Sequence, residues 1–458
     1  MDLRLTGWSG GVIALGAAFA QPALAAGFAI NEQSAIGTGV SLAGAAAGYD
    51  DASASWYNPA AMTRLRQRTV TAGVALIQAD GDFDDRGSST NPLLGDNDIE
   101  GSTGGFSTTA PIPGFFYTAP LNDQLHYGLA ITPTFGLATQ YDDDWTGRYS
   151  ALDSELTSIT IAPSLAYAWN DKLSVGGGIN LQYLKASLSN ALDTGAICLG
   201  QAADNEARAA CLSAGYLPAN ADTDSSVTVE GDSWALGFNA GLLYELNTGT
   251  RFGVAYHSEV VHDLDGEADF TQSAQMQALL GSNADGLFTD TDASAETSMP
   301  ASLSLSVIHD LRPDLSLLAD ITHIWWSSFD RLTVSFDNPA QADSISTYNW
   351  DDVQRYSVGL EYRHNAQWHW RAGYALDQSP VPDAQLRTPR IPDGDRQWLS
   401  FGGSYIRDEA LRVDAAVAFI MSDEIAIDHS EENTGHTVRG IFDLSATIVG
   451  ATLTWSFN

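Results

Sequence analysis

The stretch Val449-Gly450-Ala451-Thr452-Leu453-Thr454-Trp455-Ser456-Phe457 decides the fold. In an extended chain side chains alternate between two faces. Val449, Ala451, Leu453, Trp455 and Phe457 therefore share one face, and Gly450, Thr452, Thr454 and Ser456 the other. Tyr356, Val358, Leu360 and Tyr362 alternate in the same way with Ser357, Gly359 and Glu361. In a soluble sandwich the apolar face is a core. In a transmembrane barrel it meets lipid, and the small polar face lines the lumen. Alternation alone does not choose between them.

Segment and connection lengths do. Fourteen alternating segments run from Thr69–Ala79 through Leu125–Thr134 and Asp314–Phe336 to Val438–Phe457. Several exceed the five or six residues usual for a soluble strand. Short connections of turn chemistry fall at Asn122-Asp123, Asn170-Asp171, Asn247-Thr248-Gly249, Asp310 to Pro313, His364-Asn365 and Arg407-Asp408. Long acidic loops, such as 189–225 and 271–297, lie between them. Six short turns and seven long loops join fourteen strands and leave both termini on the short-turn side. A sandwich has no reason for this alternation; an outer-membrane barrel does. The expected fold is all-β, a 14-stranded antiparallel transmembrane β-barrel over residues 69–458.

Composition narrows the function. Among 458 residues, 21 Lys and Arg stand against 57 Asp and Glu, a net charge of −36. No basic surface exists to neutralise phosphates, so nucleic acid is excluded as a partner. With 10% aromatic and only 17% charged residues, the chain is too apolar to be disordered. The acids crowd the loops, as at Asp142-Asp143-Asp144, and read chiefly as a solvated surface; cation bridging to lipopolysaccharide is a second reading.

Residues 1–25 read as an export signal, with Arg4, an apolar run from Gly11 to Ala20, and Ala23-Leu24-Ala25 before the cleavage point. That run is too short to span a bilayer as a helix. Residues 26–68 do not alternate and are rich in Ala, Gly and Ser. Such small side chains build no core of their own. A barrel of this size leaves a lumen unless it is plugged, so this segment is read as a small, partly helical luminal hatch.

The residues then resemble a known family. Ala26-Gly27-Phe28-Ala29-Ile30-Asn31-Glu32-Gln33-Ser34, followed by Asp50-Asp51-Ala52-Ser53 and Asn58-Pro59-Ala60, is similar to the amino terminus of the long-chain fatty acid transporter (FadL) family of outer-membrane proteins. Phe135-Gly136-Leu137-Ala138-Thr139, Ala240 to Leu246, and Ser379-Pro380-Val381-Pro382 with Arg387 continue the likeness. The resemblance implies uptake of hydrophobic molecules through a groove between long external loops, then a pocket near the mature amino terminus. Exit is implied sideways, beside a kink in the third strand. It puts Phe28 at the internal pocket and Asn58, Pro59 and Ala60 at the kink. Pro133 and Gly136 break the third strand: proline removes a ladder donor and glycine weakens pairing. These five are the expected gate.

Transport of this kind is a binding problem. About 0.8 kcal/mol per methylene favours lipid over water, so ~16 methylenes gain on the order of 13 kcal/mol. A water-filled porin offers such a solute no downhill step. A fatty acid's carboxylate would require a cation, because burying it unpaired is costly. Arg148 and Arg387 are the first candidates, Arg390 and Arg396 the next. Met276, Leu279, Leu280, Leu287 and Phe288 form an apolar cluster in an acidic loop, either a mini-core or a ligand-catching surface. Cys198 and Cys211 share one loop, which in an oxidising envelope suggests a disulfide, with a free pair or a metal site as alternatives.

No HExxH or Cys/His metal set is present, and Gly7-Trp8-Ser9-Gly10-Gly11 lies in the export signal. No enzyme activity, cofactor or metal is expected. The expected partners are a long-chain fatty acid or another hydrophobic molecule, outer-membrane lipid, lipopolysaccharide and the barrel-assembly machinery, with the protein a monomer. Uptake of aromatic hydrocarbons or alkanes by the same route is the alternative ligand reading. A general diffusion porin and a purely structural or adhesive barrel are the alternatives of another class.

Overall fold

The computed structural model describes residues 27–95, 98–281 and 286–457. The export-signal reading of residues 1–25 lies outside the described residues.

The chain closes into an antiparallel barrel of 14 strands. In order these are β1 Arg68–Asp85, β2 Phe106–Pro120, β3 Leu125–Thr132 resuming at Gly136–Gln140, β4 Asp153–Ala168, β5 Leu173–Leu192 and β6 Ser225–Asn247. β7 follows as Thr250–His257 and Val260–Thr271, β8 as Thr291–Met299 and Ser302–Arg312, and β9 as Leu315–Ile324 and Arg331–Phe336. β10 Val353–Arg363, β11 Trp368–Asp377, β12 Arg396–Ile406, β13 Leu411–Ser422 and β14 Thr437–Phe457 complete the wall. β1 and β14 seal it, in register from Arg68↔Phe457 to Asp85↔Gly440.

Alternation does what the sequence implies. Val449, Leu453 and Trp455 of β14 point outward and are exposed, while Thr452 and Thr454 are buried in the lumen. Trp368, Trp370 and Tyr405 cluster on the outside near one short-turn end, the aromatic girdle of a membrane interface. Strands extend further into the long loops than turn composition suggests. β5 runs to Leu192, and β8 begins at Thr291, inside the span read as loop.

Residues between Gly27 and Gln67 fill the lumen, because their polar contacts run around the whole wall. Ala52 N donates to Thr71 Oγ1 of β1 at 3.1 Å, and Ala35 N to Thr452 Oγ1 of β14 at 3.0 Å. Ser41 meets Ser400 of β12 at 2.7 Å, Ala46 N donates to Ser306 of β8 at 2.9 Å, and Arg251 of β7 donates to Ala47 O at 3.0 Å. Small residues make this approach feasible: a Cβ on Gly253 would lie 1.8 Å from Ala46 O. Two short helices, α1 Ala35–Gly39 and α2 Ala54–Tyr57, give the segment its form. Arg64 to Glu245 at 2.8 Å and Arg412 to Asp51 at 3.4 Å fasten its base.

Outside the lumen, α3 Thr194–Gln201 and α4 Asn205–Ser213 start on the N-caps Asp193 and Asp204 and are joined by a Cys198–Cys211 disulfide. A further helix, α5 Ala274–Leu280, lies in the next long loop.

Among the described residues the ladder is interrupted in several places; β8 and β9, for one, pair at Ala295↔Val334 and again only from Ser302↔Ile324. β2 pairs with β3 only from Phe115↔Ile131 to Pro120↔His126, and the resumed part of β3 pairs with β4 alone. Residues 133–135 leave the ladder, which leaves a gap in the pairing beside Gly114. Between β6 and β7, pairing stops after Asp232↔Asp265 and restarts at Asn239↔His257.

Candidate functional site

The third-strand break is occupied by the amino-terminal segment. Ile30 N donates to Thr134 O and Gly136 N donates to Phe28 O, both at 2.8 Å, so Ala29 and Phe135 stand opposite each other as an antiparallel bridge. Backbone groups freed by Pro133 are thus satisfied by a strand fragment from 100 residues away in sequence, rather than by β2. Gln33 lies at this gap: its Nε2 donates to Pro133 O at 3.2 Å and to Ile30 O at 2.6 Å. Its carbonyl lies 2.8 Å from where a Cβ on Gly114 would be.

Phe28 is 1% exposed and sits in an aromatic stack. Its ring centroid is 4.8 Å from Trp326, 5.3 Å from Phe329, 5.8 Å from Trp350 and 6.1 Å from Phe135. Gly27 has φ +62°, and a Cβ there would strike Trp326 and Trp350 at 2.7 and 2.8 Å. Only glycine brings the chain this close.

Two cavities meet above the stack. The upper one, about 660 Å³, is framed by Leu93, Ile197 and Phe288 from the long loops and by Phe270 and Phe336 at the outer ends of β7 and β9. The lower one, about 80 Å³, is lined by Phe28, Leu137, Leu156, Leu264, Phe329 and Ile391. Leu188, Val229, Leu332, Val334, Tyr348 and Arg390 belong to both, which makes them the neck. Beneath the stack, against the strand break, lies a third cavity of about 130 Å³.

Arg390 is the cation at the neck, and Arg208 lines the upper cavity above it. It donates to Ser154 Oγ at 3.2 Å, Ser189 O at 3.1 Å and Asn190 Oδ1 at 3.2 Å. It makes no salt bridge among the described residues. Burial pushes its pKa below the usual arginine value, opposed by Tyr348 and Glu431. Such a charge favours an incoming anion.

Several expected residues stand elsewhere. Arg148 is fully buried and its five N–H donors are all taken. They go to Asp224 at 2.9 Å, to Glu100 O, Trp145 O and Ala219 O, and to the Tyr149 hydroxyl. It ties loops together and has nothing left for a ligand. Arg387 lines neither upper cavity; its Nε donates to Asp393 O at 2.8 Å and its Nη1 to Ala426 O. Arg396 pairs with Asp393 at 3.1 Å and Asp377 at 3.6 Å.

Asn58-Pro59-Ala60 is not at the kink. Asn58 Nδ2 donates to Leu242 O of β6 at 3.1 Å, and a Cβ on Gly176 of β5 would lie 2.5 Å from Ala60 N. The tripeptide therefore packs near the short-turn ends of β5 and β6. Of the apolar loop cluster, Phe288 lines the upper cavity. Met276 is fully buried on the inner face of α5, and Leu279, Leu280 and Leu287 are half-buried outside the cavity lining. Among the described residues, no group of three His, Cys, Asp or Glu is placed to hold a metal ion.

Trp326, Phe329 and Trp350 were not singled out from the sequence. Their signal was present: Trp325-Trp326-Ser327-Ser328-Phe329 breaks the alternation inside a segment too long for one strand. There β9 leaves the wall, and a 3₁₀ turn at Trp326–Ser328 carries Trp326 into the lumen.

The chain matches the family model described as outer membrane protein transport protein (OMPP1/FadL/TodX) over residues 16–457. It is 30% identical over 413 residues to the long-chain fatty acid transport protein of Escherichia coli K12, covering 88% of this chain and 90% of that one. A crystal structure of a Pseudomonas aeruginosa FadL homologue superimposes with a TM-score of 0.84 at 25% identity, over 94% of this chain and all of that one. The toluene transporter TodX of Pseudomonas putida shares the fold, with a TM-score of 0.66 at 19% identity over 94% and 98% of the two chains. The protein is an outer-membrane β-barrel, and it belongs to the OMPP1/FadL/TodX family of outer-membrane transport proteins.

Proposed function

We propose that this protein takes up long-chain fatty acids across the outer membrane. The ligand is caught by the apolar wall of the upper cavity, Phe288 included, and slides into the lower cavity until its carboxylate reaches Arg390. Phe28 closes the floor. Displacement of the Phe28–Ile30 fragment from the strand break then opens a slit beside Pro133 and Gly136, and the ligand leaves sideways into the bilayer. The acyl chain's own preference for lipid drives the passage, so no bond chemistry and no cofactor is called for.

The observation that carries this reading is Arg390: a half-buried guanidinium without an ion-pair partner among the described residues, at the neck between an apolar cavity and a wider one of mixed lining. A hydrocarbon channel has no use for it. Affinity for oleate should fall about 10- to 100-fold in Arg390→Gln, the loss of a charged hydrogen bond. Affinity for toluene should be unchanged. Equal oleate affinity in the two proteins would defeat the carboxylate reading.

One feature favours a monoaromatic hydrocarbon instead. The lower cavity, about 80 Å³ and walled by the Phe28 and Phe329 rings, is sized for a single ring. Toluene retained where oleate is not would select that reading. Lipopolysaccharide around the acidic loops and the barrel-assembly machinery remain the proposed protein and lipid partners of a monomer.

A further inference from the structure

The third cavity carries a feature that the route above does not use. Arg355 of β10 lines it and is 3% exposed. Its Nη2 donates to Ser41 O at 3.3 Å, and its guanidinium lies 4.4 Å from the Trp398 ring centroid. Its Nε and Nη1, both buried, have no hydrogen-bond partner. Asp320 of β9 lines the same cavity and accepts from Ser304 at 2.6 Å, from Thr322 at 2.7 Å and from Ser306. Among the described residues no salt bridge joins Asp320 to Arg355. Buried guanidinium donors without an acceptor are costly and rare, so an acceptor entering this cavity would meet a donor already desolvated.

We infer that the cavity is a second binding site, which holds the carboxyl head group of the ligand between Arg355 and Asp320. This rests on the fatty-acid reading above. A cavity of about 130 Å³ has room for roughly four water-sized groups at ~30 Å³ each, enough for a carboxyl and its first methylene. Charge decides the form in which the ligand enters. Arg355 is within electrostatic reach of both Asp320 and the buried Glu32, so an ionised carboxylate would add to buried negative charge. The protonated acid does not: one proton is shared between its carboxyl and that of Asp320, while one of the two free Arg355 donors, Nε or Nη1, donates to its carbonyl oxygen. The only bond that changes is the O–H passing between two carboxyl groups. Thr134 and Phe135 of the strand break also line this cavity, so the ligand would stand beside the slit in the neutral form that lipid accepts.

The test is native mass spectrometry of the full protein, purified from outer membranes, with oleate. The wild type should retain two molecules, and Arg355→Gln one, with the affinity for the second lowered at least about tenfold. One molecule retained by both, and lost in Arg390→Gln, would overturn this inference and leave the proposed function standing. No oleate retained by the wild type would overturn both. Because Arg355→Gln also removes the Ser41 contact and could unfold the lumen, crystals of the unmodified protein soaked in 2-bromohexadecanoate give an independent reading. Anomalous bromine density beside Arg355 is expected; only ordered water there would refute the site.

Discussion

Gly136 donates its backbone N–H to the carbonyl of Phe28 at 2.8 Å. One hydrogen bond thus ties the residue that restarts the broken third strand to the residue whose ring floors the lower cavity. The bond is a direct link between the floor of the pocket and the wall, through which movement of one is expected to reach the other.

That coupling predicts a reversible block. Ala29 and Phe135 are antiparallel bridge partners, and Cα atoms in such pairs lie about 4.5–5.5 Å apart, within disulfide range. Ala29→Cys with Phe135→Cys should stop oleate uptake when oxidised and restore it on reduction, with each single variant as control. Undiminished uptake in the fully cross-linked protein would show that the fragment does not have to move.

Phe28→Ala removes the centre of the aromatic stack. Burial of that ring is worth about 3–5 kcal/mol when truncated, and the space left joins the lower cavity to the one beneath. Amides of Ile30 and Gly136 should lose most of their hydrogen-exchange protection, while amides in β14 keep theirs. Unaltered protection at Gly136 would separate the ring from the strand break.

Asn58 holds the hatch by its side chain. It donates to Ala46 O at 2.5 Å and Leu242 O at 3.1 Å and accepts from Ala60 N at 3.0 Å. Asn58→Ala leaves these buried groups unmatched, a cost of about 1–3 kcal/mol. Gly241→Ala should do similar damage, because its Cβ would lie 1.9 Å from Asn58 Oδ1. Faster exchange at residues 45–60, without unfolding of the barrel, is the expected readout for both.

The external loop after β13 should respond to pH. Ile425–Ser430 forms a short strand on β14, beside which His429 meets Glu431 at 3.3 Å. Burial opposes charge on both, yet their mutual hydrogen bond raises the His429 pKa from 6.5 and lowers that of Glu431 from 4.5. The histidine's contribution is complete below pH 6.5 and lost as pH rises through its higher folded value. The glutamate's is complete above pH 4.5 and lost as pH falls through its lower folded value. Protection factors in this strand should peak between these limits. In His429→Gln the decline on the alkaline side should vanish.

The disulfide predicts a local effect. Its short loop restricts the unfolded ensemble by about 3 kcal/mol. Cys198→Ser with Cys211→Ser should make α3 and α4 sensitive to protease while barrel melting is unchanged. Equal cleavage rates would show that the helices hold without it.

Barrel, strand number and a filled lumen were legible in the sequence, because lipid outside and small polar groups inside impose a period of two on every strand, and because residues 26–68 are too small-sided to fold unaided. The break at Pro133 and Gly136 was legible too, since proline cannot donate to a ladder. What each inward side chain touches was not. Phe28 meets Trp326 and Trp350 some 300 residues along the chain, and only barrel closure brings them together. Arg148 and Arg390 look alike in a sequence; tertiary structure alone surrounds the first with five acceptors and sets the second, without an ion pair among the described residues, at the neck of two cavities. The tripeptide Asn58-Pro59-Ala60 was likewise placed by packing: wall glycines on β5 and β6 admit it there, and hydrogen bonds to distant carbonyls hold it.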